Sequence, residues 1–169
     1  LSKGRIALVQ GSYTQAGVVF NKAIANDPRS VEAKLGKVET DIRNNELGSA
    51  RKALDVIAPA NANSARAHYL MGEVHLALKK TNEAGEELRK AIALDDELIE
   101  GYVALSMMFL AENKHKEAME ILDKASEKVP GSPLIRKTLA RAHAARGDYA
   151  SAIVELDKAE LPFVNQPER

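Results

Sequence analysis

Four histidines, two carboxylates a fixed distance apart and one acidic run are the groups in this 169-residue chain that could do chemistry. His68, His75, His115 and His143 lack the close pairing through which imidazoles share a metal ion. Glu39 and Glu73 could meet across neighbouring helices and act as an acid/base pair, yet no nucleophile accompanies them. Asp95, Asp96 and Glu97 read as an exposed turn rather than a metal site. There is no cysteine, hence no thiol nucleophile, zinc-thiolate site or disulfide, and no phosphate-cradling loop, Gly-x-Ser-x-Gly elbow or His-Glu-x-x-His pair. The expectation is a chain that is not an enzyme and needs no cofactor or metal.

Charge narrows the partners. Lys and Arg number 24, Asp and Glu 24, which disfavours nucleic acid, since phosphate capture relies on a positive excess. Charged residues interrupt every apolar stretch, which predicts a soluble chain with no membrane insertion. Protein or peptide is the partner class left.

The elements that position these residues follow from a repeat. Ala16, Ala50, Ala84, Ala118 and Ala152 are spaced 34 residues apart; four residues after each stand Phe20, Leu54, Leu88, Leu122 and Leu156, and three further on Ala23, Ile57, Ala91, Ala125 and Ala159. The spacing i, i+4, i+7 puts a small, a large and a third apolar side chain on one helical face, five times over. A first helix precedes each: Ala67, Met71, Val74 and Leu78 share a face. Gly72 stands where the second helix's Ala84 could approach, and Gly4, Ser106 and Ala140 are small at the same register, with Val38 the exception. Between the two helices lie Gly11, Asn45, Lys79, Asn113 and Gly147; four of the five are types that accept a positive φ at a helix stop. Ser132-Pro133 reads as a helix start.

The segments 67–96 and 101–130 carry Gly72, Ala84, Leu88 and Ala91, then Tyr102, Leu105, Ser106, Phe109, Ala118, Leu122, Ala125 and Pro130, and on these residues the chain resembles the tetratricopeptide repeat (TPR) family, whose unit is a pair of antiparallel helices. The resemblance implies an all-α, right-handed superhelical solenoid of about five repeats, the first truncated. The array spans 1–162 in units 1–30, 31–64, 65–98, 99–132 and 133–162. Residues 163–169 form a tail, either a disordered end or the start of further structure. The chain reads as a piece of a longer one whose uncapped ends favour self-association. Lys34, Lys37 and Asp41 replace the family's apolar side chains, so the first helix of the second unit should pack less well. His75 and His143 fall where the family places an aromatic, and are expected as packed rings.

In the family the first helices line a concave wall. Positions 5, 9 and 12 of each first helix give three rows distinct from the core face: Leu35, Tyr69, Val103 and Lys137; Arg5, Glu39, Glu73, Met107 and Arg141; Leu8, Ile42, Leu76, Leu110 and Ala144. The candidate site is Leu35, Glu39, Ile42, Tyr69, Glu73, Leu76, Val103, Met107, Leu110 and Arg141, a mostly aliphatic floor suited to a helical or extended segment of a partner. A carboxylate clamp of Lys, Asn and Arg, which some members carry, is absent: its places hold Leu1, Arg5, Gly36, Arg66 and Leu70. The expected function is an interaction scaffold within a bacterial envelope, export or secretion assembly. The alternative is a substrate-recruiting array of a larger enzyme. The compartment stays open between cytoplasm and bacterial periplasm or envelope.

Overall fold

A computed structural model describes residues 1–160. The tail expected at 163–169 and the end of the last unit lie outside the described residues. Ten helices run in order: α1 Ser2–Val9, α2 Tyr13–Asn26, α3 Val31–Arg43, α4 Leu47–Ala60, α5 Ala65–Ala77, α6 Thr81–Leu94, α7 Ile99–Ala111, α8 His115–Lys128, α9 Pro133–Ala145 and α10 Tyr149–Glu160. No strand occurs among the described residues, and none of their helices is long and apolar enough to cross a membrane. The chain forms two compact units, Leu1–Ala91 and a second from Ile92, so the division falls inside α6 rather than between repeats.

In the first unit α1 packs on α2, α2 on α3, α3 on α4 and α4 on α5, while α3 also touches both α1 and α5. The first helices of its hairpins therefore stand side by side, and α1 does not reach α5, which makes an open stack rather than a closed bundle. The second unit repeats the pattern with α7 on α8, α8 on α9, α9 on α10 and α7 beside α9.

Local chemistry sets the hairpins. Ser30, Ser64 and Ser132 each accept a hydrogen bond from the backbone N–H three residues on, at 3.2, 3.2 and 3.4 Å, and so cap α3, α5 and α9. At the other ends Gly11, Asn45, Lys79, Asn113 and Gly147 all have positive φ, from 58° to 80°. Each turn closes with the same two bonds: in the third hairpin Lys79 N–H donates to the Leu76 carbonyl at 2.9 Å and Lys80 N–H to the His75 carbonyl at 2.8 Å. Lys79 thus adopts the left-handed conformation with a side chain poorly suited to it, because the flanking helices and this bond pair dictate the geometry.

The core follows the repeat. Ala16, Ala50, Ala84 and Ala118 are fully buried, as are Leu54, Leu88 and Leu122. Leu156, their counterpart in α10, is 45% exposed, because no further first helix among the described residues lies over it. At Gly72 the group filling the space is the Leu88 side chain: an added Cβ would lie 2.7 Å from Leu88 Cγ and 3.5 Å from the Ala84 carbonyl oxygen. The approach expected of Ala84 is thus shared, with the leucine nearer. Phe20 is larger than the leucines it replaces and sits between two glycines; a Cβ at Gly4 would come 2.7 Å from its Cζ, and one at Gly36 would overlap the ring. The polar residues of α3 are accommodated, since Asp41 is buried but pairs with Lys37 one turn earlier, and the buried Thr40 hydroxyl donates to the Gly36 carbonyl at 2.9 Å.

Candidate functional site

The first-helix rows are described unit by unit. In the first unit α3 and α5 bring Glu39, Ile42, Tyr69, Glu73 and Leu76 onto adjoining helices, all half-buried. Leu35 is a correction: it is 4% exposed and packs in the core with Val38, Leu54 and Ile57, because α4 covers that side of α3. Ile42 and Tyr69 also lean on this core, whereas Leu76 is not part of it.

Charge ties the floor together. Arg66, at the start of α5, pairs with Glu39 of α3, and Arg5 of α1 pairs with Glu32 of α3 at 2.9 Å. Burial pushes the Glu73 carboxyl above the usual carboxylate range; Glu39 adds to this, while Arg43 and a hydrogen bond with Tyr69 oppose it. The two glutamates therefore feel each other, and Glu39 is already engaged by Arg66. Neither the Arg66 pairing with Glu39 nor the influence of Arg43 on Glu73 is legible in the sequence, because each acts between helices and spacing along one helix gives no signal for that.

In the second unit α7 presents Val103, Met107 and Leu110, all half-buried, and Leu110 leans on the core of Tyr102, Leu122 and Leu139. Arg141 of α9 is exposed and reaches back to α7, its Nη1 3.4 Å from the Met107 sulfur. Among the remaining row members Arg5 and Lys137 are exposed, and Leu8 and Ala144 half-buried.

The histidines divide by environment. His75 is 9% exposed, the packed ring expected, and its Nδ1 has no hydrogen-bond partner. His143 is half-buried with Nδ1 3.3 Å from Asp148 Oδ2. His68 bridges two elements, with Nδ1 2.6 Å from Glu87 Oε2 and Nε2 3.0 Å from the Ala62 carbonyl oxygen. Burial opposes ionisation of Glu87, yet the bonds from His68 and Lys90 hold its carboxyl below the usual range. Among the described residues no three His, Cys, Asp or Glu side chains are grouped so that they could hold a metal ion. Asp95 to Glu97 form an exposed turn in which Asp95 Oδ1 accepts the Glu97 N–H at 3.1 Å.

Helix pairs, a 34-residue period and turns of one kind all describe one repeat, and family models described as tetratricopeptide repeat match residues 7–74 and 109–169, and 65–97. The chain belongs to the tetratricopeptide repeat family. Its fold is that of TTC0263, a thermophilic TPR protein in Thermus thermophilus, at a TM-score of 0.86 and 18% identity over 94% of this chain and 87% of that one. It is also similar to a MamA segment from Desulfovibrio magneticus, with a TM-score of 0.60 and 27% identity over 74% of this chain and 71% of that one. Among curated proteins it is similar to the RNA polymerase-associated protein CTR9 of Saccharomyces cerevisiae, 22% identical over 176 residues. That match takes in 88% of this chain and 16% of CTR9. The shared fold is a helical solenoid of TPR units, and such repeats generally mediate protein–protein interaction.

Proposed function

We propose that this TPR chain is a non-catalytic scaffold that binds a helical or extended segment of a partner protein on its first-helix faces. One observation carries the reading: in each unit side-by-side first helices leave aliphatic and aromatic side chains half-exposed, Leu76 with Ile42 and Tyr69 in the first and Val103 with Met107 in the second, bordered by charged groups. A partner helix with apolar residues three and four apart would cover such a face, and its polar residues would meet Arg66, Glu73 and Arg141 at the border.

A bacterial envelope, export or secretion assembly is the setting proposed. Self-association belongs to the same proposal, supported by exposed apolar side chains on α1, Ile6 and Val9, and on α10, Ile153 and Leu156.

The test is a set of peptides selected from a random library on the folded chain. Leu76→Arg in the first unit and Met107→Arg in the second should each weaken the peptides that occupy that unit about tenfold or more, while the melting temperature holds, because neither side chain is fully buried. Val56→Arg, on the exposed side of α4, should leave binding unchanged. Peptides that ignore both wall substitutions, or respond equally to Val56→Arg, would remove the first-helix faces from the proposal.

A further inference from the structure

On a different side of α5 from the wall, the first unit holds an open cleft of about 350 Å³ between α4, α5 and α6. At about 100° per residue, His68, Met71 and His75 point roughly 130° around α5 from Tyr69, Glu73 and Leu76, so the cleft and the wall are separate surfaces. Its accessible apolar lining comes from Ala58, Pro59, Ala62 and Met71, with Leu54 fully buried beneath them.

The polar groups around it are of two kinds. His68 and Glu87 satisfy each other and the Ala62 carbonyl, so they wall the cleft without offering much to a ligand. Arg51 and Asp55 are different: they stand one turn apart on α4, partly exposed, with Arg51 Nε 3.8 Å from Asp55 Oδ2, a loose pairing that leaves most of their hydrogen-bonding capacity open. Pro59 lies four residues after Asp55 and has no N–H, so the α4 ladder supplies no donor to the Asp55 carbonyl. His75, nine-tenths buried, also borders the cleft and has an unpartnered Nδ1.

These groups select a ligand. Open donors on Arg51 stand beside open acceptors on Asp55, and their charges cancel, so a carboxylate would meet Asp55 and an ammonium would meet Arg51. A neutral group that both donates and accepts satisfies both, provided it ends a flat apolar body that fills the space over Ala58 and Met71. A phenol has that form, and the Met71 thioether is a favourable neighbour for a ring edge. We propose that this cleft receives a tyrosine side chain of a partner segment, its ring over Ala58 and Met71 and its hydroxyl between Arg51 and Asp55. The site stands apart from the first-helix faces and does not depend on them.

Titration of the ¹⁵N-labelled chain with N-acetyl-tyrosinamide and, separately, N-acetyl-phenylalaninamide tests this by amide chemical shifts. The tyrosine amide should move resonances of α4 and α5 around the cleft and bind about threefold or more tighter than the phenylalanine amide, the difference one hydroxyl's hydrogen bonds make. Asp55→Ala, at an exposed position, should keep the spectrum of the folded chain and reduce the tyrosine amide to the affinity of its analogue. Equal binding of the two amides, shifts confined to the wall, no shifts up to the solubility limit, or a preference that survives Asp55→Ala would each overturn the assignment.

Discussion

Lys79→Gly should stabilise the protein, although it removes a side chain and adds backbone freedom. Lys79 has φ 59° and is exposed, and its backbone is held by the bonds to Leu76 and His75. A residue with a Cβ in the left-handed region is strained by about 1–2 kcal/mol, whereas glycine adopts that region freely. The entropy glycine loses on folding returns about 0.5–1 kcal/mol of that gain, so the net expectation is roughly +0.5 to +1 kcal/mol. For a chain of this length that is about 2–4 °C in melting temperature at most. Gly147→Ala is the mirror experiment: φ is 80° and an added Cβ meets nothing within 4 Å, so its cost is backbone strain less the entropy regained, about 0.5–1 kcal/mol in the opposite direction. Urea unfolding with an unchanged m-value reads both. If Lys79→Gly is neutral or destabilising while Gly147→Ala behaves as stated, the Lys79 side chain contributes something the strain argument omits, and the reasoning fails at that turn.

Gly36→Ala should destabilise by about 1–3 kcal/mol through overlap with the Phe20 ring, and Phe20→Leu should relieve much of it in the double variant; purely additive losses would disprove the complementarity. Glu73 has a raised folded-state pKa, so the folded chain holds a proton that the unfolded chain has released. Stability therefore falls as pH rises from the ordinary carboxylate value through the raised one, and Glu73→Gln should gain stability at pH 7 but not in acid, as thermal melts across that range would show. Glu87 is the converse: its carboxyl is held low by His68 and Lys90, its contribution is present above the ordinary value and is lost on acidification, and Glu87→Gln should flatten that acid-side loss. Ala84→Leu should cost about 1–3 kcal/mol, because the fully buried alanine leaves no room for extra methylenes.

The amino-acid sequence by itself determined the period, the pairing of helices, the five turn positions and the alanine and leucine rows of the core, because helical periodicity and backbone preference are local properties that recur with each unit. It also set the first-helix register from which the wall rows were read. The tertiary structure decided how much of each row faces solvent: Leu35 is sealed beneath α4, Ile42 and Leu110 are shared with the cores, and Leu76 and Met107 stay half-buried. It decided that Phe20 needs Gly36 as well as Gly4, and that Lys79 must take a conformation its own type disfavours. Arg66 on Glu39, His68 on Glu87 and the cleft beside Pro59 likewise appear only in three dimensions. The physical reason is common to all of them. Burial, ion pairing and cavity shape depend on what a neighbouring helix places opposite a residue, and periodicity fixes which face a side chain shares but not what arrives to meet it.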